Sequence, residues 1–134
     1  MSTSVERSLY LDSSALVKLV VSEGQSEALR SAIGAVRSRV SCALARVEVV
    51  RAVRGRGTQA VNDAHAVLES IELIEMDGEL LNVAAELDAP LRSLDAIHVA
   101  AAMELGDELG ALVTYDARMA SAARALGVPV VSPA

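Results

Sequence analysis

Short aliphatic runs alternate with amphipathic stretches along this chain, and the alternation predicts its elements. Ser8-Leu9-Tyr10-Leu11 reads as a first strand ending at Asp12, after which Ser13 and Ser14 can cap a helix to about Val21. Apolar spacing at Ala28, Leu29, Ala32, Ile33 and Val36 predicts a second helix over 25–37. Residues 39–42 form a short strand candidate, and 43–54 a helix stopped by Gly55-Arg56-Gly57. Thr58 opens another helix to about Ser70, and 71–76 alternates as a strand. Helices over 79–87 and 93–105 are separated by Pro90. A buried-type strand over 111–115 ends at Asp116, and a helix over 117–126 is closed by Gly127. The last strand, 128–131, contains Pro129, which has no N–H for a ladder and so belongs at an edge. Strands alternating with helices predict a mainly parallel sheet of about five strands covered on both faces, a three-layer α/β/α domain.

The composition fits one domain over 1–134, with no repeat, low-complexity tract or linker. Hydrophobic residues make up 52% of the chain, too many for a disordered segment. They are aliphatic: 24 Ala, 18 Val and 17 Leu stand against two Tyr and no Phe or Trp, which weakens any model of nucleic-acid binding on an aromatic platform. No apolar stretch approaches the ~18 residues of a membrane span. Glu6 precedes the first apolar run, and no cleavable signal pattern follows. Cys42 has no partner for an intramolecular disulfide, and with His65 and His98 it cannot furnish a structural zinc site. Cys42 reads as a small core residue, and His65 as surface. A soluble cytoplasmic protein is the expectation. The formal charge of −6 disfavours non-specific polyanion binding, yet six of the 11 Arg fall between Arg37 and Arg56.

In an open parallel sheet, ligands occupy the crevice beyond the carboxyl ends of the strands. Asp12 and Asp116 fall at that edge, each between a strand and a helix; the plainer role for either is a helix N-cap. Glu48 lies inside the helix over 43–54 with Leu44 and Ala52 one turn away, and burying it unpaired would cost several kcal/mol. Arg51 is the partner the sequence offers it. Asp95 lies in the first helical turn after Ser93, where the helix dipole alone favours an acid by about 0.3–1 kcal/mol. Four such acids converging on one edge would need a compensating cation, and carboxylates select Mg²⁺ or Mn²⁺ over zinc.

These residues carry a resemblance. Leu9-Tyr10-Leu11-Asp12-Ser13-Ser14-Ala15-Leu16-Val17-Lys18 resembles the opening motif of PIN-domain toxins of the VapC type. Glu48 within 45–52, Asp95 within Leu94-Asp95-Ala96-Ile97-His98-Val99-Ala100-Ala101-Ala102, and Asp116 after Val113-Thr114-Tyr115 are similar to the second, third and fourth motifs. The similarity runs from about residue 8 to 132, and four motifs in order are far more specific than any one. The resemblance implies a PIN-like α/β fold and an Mg²⁺- or Mn²⁺-dependent endoribonuclease. Asp12, Glu48, Asp95 and Asp116 would be the metal-binding and catalytic acids, with Ser14 and Thr114 as supporting hydroxyls. A water activated by one or two metals, about 3.5–4 Å apart if two, would attack the phosphodiester. Two dications would take the formal −6 to −2. Arg37, Arg39, Arg46, Arg51, Arg54, Arg56, Arg92 and Arg118 are candidate phosphate contacts.

The resemblance further implies a homodimer and a cognate VapB-type antitoxin that sends an Arg or Lys towards Asp12, Glu48 and Asp95. Leu16, Val20, Val21, Leu29 and Ile33 are candidates for the antitoxin-docking surface, the alternative being that they pack the sheet. Other chemistries fit less well. Gly55-Arg56-Gly57-Thr58-Gln59-Ala60 follows a helix where a dinucleotide fold needs a strand. Lys18 lies in the first helix, whereas a phosphorelay receiver needs a lysine after a late strand. No second Asp follows Asp12 as in haloacid-dehalogenase phosphatases, no nucleophile elbow is present, and His98 reads as a packed helix residue. Asp88 reads as surface. The alternatives kept are a phosphoester hydrolase on another substrate and a non-catalytic PIN-like interaction module.

Overall fold

The structure, a computed structural model, describes residues 7–134; the segment 1–6, whose Glu6 argues against a signal pattern, lies outside the described residues. In chain order the elements are β1 (Ser8–Leu11), α1 (Ser13–Val20), α2 (Ser26–Gly34), β2 (Arg39–Cys42), α3 (Ala45–Val53), α4 (Thr58–Glu69), β3 (Glu72–Ile74), α5 (Gly78–Glu86), α6 (Ser93–Glu104), β4 (Leu109–Val113), α7 (Ala117–Ala125) and β5 (Val130–Val131). The five strands pair in parallel in the order β3-β2-β1-β4-β5, which puts β5 at an edge as expected, although it starts only after Pro129.

The period-2 pattern of the strands divides the core in two. Tyr10, Val40, Cys42 and Leu112 pack under α5, α6 and α7, while Leu11 and Val113 pack under α1, α2, α3 and α4. The three-layer expectation holds. Helix α6 is the most interior: Ala96 to Ala102 are all buried, and its alanines let neighbours approach closely on every side. Burying large aliphatic side chains such as Leu16, Leu29 and Leu112 contributes about 1.5–3 kcal/mol each.

The antitoxin surface expected on α1 and α2 is corrected here. Leu16 and Leu29 are 0% exposed and Ile33 only 5%, while Val20 and Val21 are half-buried against the same cluster. The reason is that α1 packs on α2, α3 and α4 together, so its second aliphatic face is used inside the protein. Strand β4 begins two residues earlier than its apolar run suggests and ends at Val113. Gly110 makes the early start tolerable, since a Cβ there would stand 3.2 Å from the Ser8 carbonyl oxygen. Thr114 and Tyr115 leave the strand for hydrogen bonds at the sheet edge, described below.

The topology also fixes where a site can form. From β1 the chain moves outward to β2 and β3, then returns to β4 on the other side of β1. Helix α1 leaves β1 towards one face and α7 leaves β4 towards the other, opening a crevice at the carboxyl ends of these two central strands.

Candidate active site

Asp12 sits at the mouth of that crevice, 2% exposed. Its Oδ1 accepts from the Ala15 amide at 2.9 Å and the Ser14 hydroxyl at 2.7 Å, and its Oδ2 accepts from the Thr114 hydroxyl at 2.5 Å. Asp12, with extended backbone, is therefore the N-cap of α1, in place of the serines that follow it. Capping uses one oxygen only. Burial pushes the Asp12 carboxyl above its ordinary value, against the pull of the Thr114, Ser14 and Ala15 hydrogen bonds. Among the described residues no ion pair reaches this buried carboxylate.

Ser14 and Thr114 serve as hydroxyl supports around it. Ser14 Oγ also accepts from the Tyr115 amide at 2.9 Å, and Thr114 Oγ1 accepts from the Asp116 amide at 3.0 Å. The loop after β4 is thereby laced to the start of α1. Asp116 caps α7, its Oδ1 accepting from the amides of Arg118 at 2.9 Å and Met119 at 3.1 Å. Only its backbone amide, through Thr114, joins Asp116 to Asp12; its carboxylate is taken up by the α7 cap.

Glu48 does not use Arg51. Its Oε1 accepts from Ser13 Oγ at 2.7 Å and from His98 Nε2 at 2.6 Å, while Nε2 and the Ser13 oxygen stand 3.2 Å apart. Burial alone would raise the Glu48 carboxyl, but the hydrogen bonds from His98 and Ser13 outweigh it and hold the group below its ordinary value. On the far side of the imidazole, Nδ1 meets the Tyr10 hydroxyl at 2.8 Å, with the two rings edge to face. A carboxylate only accepts, so Nε2 carries the ring proton; Nδ1 then accepts from Tyr10, whose phenol burial holds well above its ordinary value.

Asp95, in the first turn of α6, is held by Arg92 at 3.5 Å and lines a cavity of about 330 Å³ together with Glu48, Arg92, Ser93 and Leu94. The four residues are thus linked in series: the Asp116 backbone amide to Asp12 through Thr114, Asp12 to Glu48 through Ser13, its neighbour in the chain, and Glu48 to Asp95 across one cavity. Each carboxylate is anchored by its own partners, and among the described residues no group of three or more acid, histidine or cysteine side chains is placed to hold a metal ion.

Tyr10, Ser13 and His98 went unrecognised as site residues in the sequence. One signal was present, since His98 lies three residues after Asp95 and so shares its helix face. Among the arginine candidates, Arg39 is corrected. Its guanidinium donates to the carbonyl oxygens of Ile33 at 3.2 Å and Val36 at 3.3 Å, closing the end of α2. Arg46, Arg51, Arg54, Arg56, Arg92 and Arg118 are exposed, and so are His65 and Asp88, whereas Cys42 is buried in the core.

The family model of the PIN domain matches residues 9–125. The chain is also 47% identical over 126 residues to Ribonuclease VapC46 of Mycobacterium tuberculosis, an alignment covering 93% of this chain and 97% of that relative. It belongs to the PIN domain family, and within it to the VapC ribonucleases. Its fold is similar to a chain of a toxin–antitoxin complex from Klebsiella pneumoniae, with a TM-score of 0.74 at 18% identity, covering 94% of this chain and 98% of that one. It is similar as well to Mycobacterium tuberculosis VapC20, described as a sarcin-ricin loop cleaving toxin, with a TM-score of 0.73 at 16% identity over 93% and 99% of the two chains.

Proposed function

We propose that this chain is the endoribonuclease toxin of a toxin–antitoxin pair and cleaves RNA phosphodiester bonds with water activated by Mg²⁺ or Mn²⁺. The observation that carries the proposal is Asp12: a buried carboxylate at the end of the central strand, surrounded by hydroxyl and amide donors and, among the described residues, by no paired cation. Such a group invites a hard divalent ion. The donor set is all carboxylate oxygen, which suits Mg²⁺ or Mn²⁺. The open arrangement suits them too, because Mg²⁺ keeps several waters and takes one or two carboxylates plus substrate phosphate in preference to an all-protein cage. Asp12, Glu48, Asp95 and Asp116 are the residues from which its one or two carboxylate ligands would come.

When bound, the ion would lower the pKa of a coordinated water and stabilise charge on the phosphate oxygens. The chain's own groups do the rest. Ser14 and Thr114 fix the Asp12 carboxylate, Ser13 and His98 fix Glu48, and exposed Arg92 and Arg118 stand close in sequence to Asp95 and Asp116, where phosphate would approach.

The cognate partner would be a VapB-type antitoxin whose Arg or Lys enters the acidic crevice, where a guanidinium meets carboxylates by paired hydrogen bonds. Homodimerisation and a cytoplasmic setting belong to the same proposal. No helix among the described residues is long and apolar enough to cross a membrane. Induced expression of the wild-type chain should arrest growth with loss of intact RNA, while Asp12→Asn should be harmless at equal protein level. Growth arrest by both would remove Asp12 from the mechanism. A chain that neither cleaves RNA nor binds Mn²⁺, yet captures a partner, would be the non-catalytic module.

A further inference from the structure

Tyr10, His98 and Ser13 form a polar chain that crosses the core from β1 through α6 and ends on one oxygen of Glu48. Tyr10 is 0% exposed and His98 1%. A phenylalanine–leucine pair would fill such space between β1 and α6 with no polar group to satisfy. Replacing both members of a buried hydrogen bond by apolar groups is often close to neutral for stability. Stability therefore gives little reason for the polar pair, whereas its end point does. Both hydrogen bonds to Glu48 fall on Oε1, and Oε2 accepts none among the described residues.

We propose that His98, oriented by Tyr10, is a positioning residue for Glu48: it pins Oε1 and thereby presents Oε2 to the cavity shared with Asp95 as a metal ligand. The orientation follows from chemistry. The Glu48 carboxylate can only accept, so Nε2 carries a proton that points at it, and the Tyr10 hydroxyl at Nδ1 holds the ring in that orientation. Ser13 adds a second donor from the residue next to Asp12, coupling the placement of Glu48 to that of Asp12. This is the arrangement in which a partner outside the metal's own ligands fixes a ligand's direction, and loss of such partners typically weakens metal binding by about 10–100-fold. The inference rests on the metal-dependent reading above.

The test is a calorimetric Mn²⁺ titration of the purified chain, with melting temperature recorded for each variant. The double variant Tyr10→Phe/His98→Leu should fold with a melting temperature near wild type, yet bind Mn²⁺ about 10–100-fold more weakly. His98→Gln, which keeps a donor within reach of Oε1, should stay within about threefold of wild type, and His98→Asn, one methylene shorter, should resemble the double variant. If the double variant fails to fold, the Gln and Asn variants carry the comparison. Wild-type Mn²⁺ affinity in the double variant, or equal affinity in Gln and Asn, would overturn the positioning role while leaving the metal site intact. Absence of Mn²⁺ binding by the wild type would overturn the metal reading, and the inference with it.

Discussion

Replacing Asp12 by asparagine separates what the carboxylate does for the fold from what it does for the reaction. In the metal-free protein the side chain accepts three hydrogen bonds, from Ala15, Ser14 and Thr114. Hydrogen bonds to a charged group are worth about 1 kcal/mol more than neutral ones, so losing the charge forfeits roughly 3 kcal/mol. Against this, burying an ion costs several kcal/mol even after relaxation. The raised pKa of Asp12 states which is larger: folded protein favours the neutral acid more than water does. The asparagine oxygen can keep the Ala15 and Ser14 bonds, and its NH₂ can donate to Thr114 Oγ1. Asp12→Asn should therefore be at least as stable as wild type near pH 7 without metal. Asp12→Ala should lose about 2–4 kcal/mol, for the missing cap and the stranded Thr114 donor.

The pH dependence carries the same sign. An acid whose folded pKa lies above its unfolded one makes the metal-free wild type lose stability as pH rises from the unfolded value towards the folded one. That component should be missing from Asp12→Asn. Thermal denaturation in EDTA between pH 4 and 8 measures both effects. A melting temperature for Asp12→Asn as low as that of Asp12→Ala would refute the reasoning, because the charge itself would then be stabilising.

Other expectations follow from the remaining partners. Glu48 has the opposite sign: its folded pKa is depressed, so its contribution is present above the unfolded value and is lost as pH falls through the folded one. Glu48→Gln should flatten that acid limb and cost about 1 kcal/mol at neutral pH, read by urea denaturation; an unchanged acid limb would contradict the His98 contact. Asp95→Asn should abolish RNA cleavage while changing stability by under ~1 kcal/mol, since its partner Arg92 is exposed; cleavage at the wild-type rate would reduce Asp95 to a helix-end charge. Asp116→Asn keeps an oxygen for the α7 cap, so its melting temperature should move by less than ~3 °C while cleavage falls. Full activity in that variant would confine Asp116 to capping.

Much of this architecture was legible in the chain because its central strands are short apolar runs punctuated by acids and glycines, as at 9–11 before Asp12 and at 111–115 between Gly110 and Asp116. The positions of Asp12 and Asp116 at strand–helix junctions followed from the same punctuation. What escaped were features set by contacts distant in sequence. Val113-Thr114-Tyr115 has strong strand propensity, yet Thr114 lies outside β4 and bonds to Asp12, 102 residues earlier. Arg51 looked like the natural partner of Glu48 because it is one turn away. The actual partner, His98, is 50 residues on, in a helix whose apolar surroundings make any histidine look like packing. Arg39 is a candidate phosphate contact by sequence, whereas its guanidinium closes α2 by bonding to carbonyl oxygens that no pattern in the chain marks. Leu16, Leu29 and Ile33 looked surplus to one core face because the thickness of the α1–α4 layer is a tertiary property.

The central claim is that a divalent ion held at Asp12 drives hydrolysis of RNA. Purified wild type and Asp12→Asn, each incubated with RNA in Mn²⁺ and in EDTA, test it in one gel. Cleavage by the wild type in Mn²⁺ alone, with the other three lanes intact, is the predicted result. Wild-type cleavage that persists in EDTA, or equal cleavage by Asp12→Asn, would contradict it.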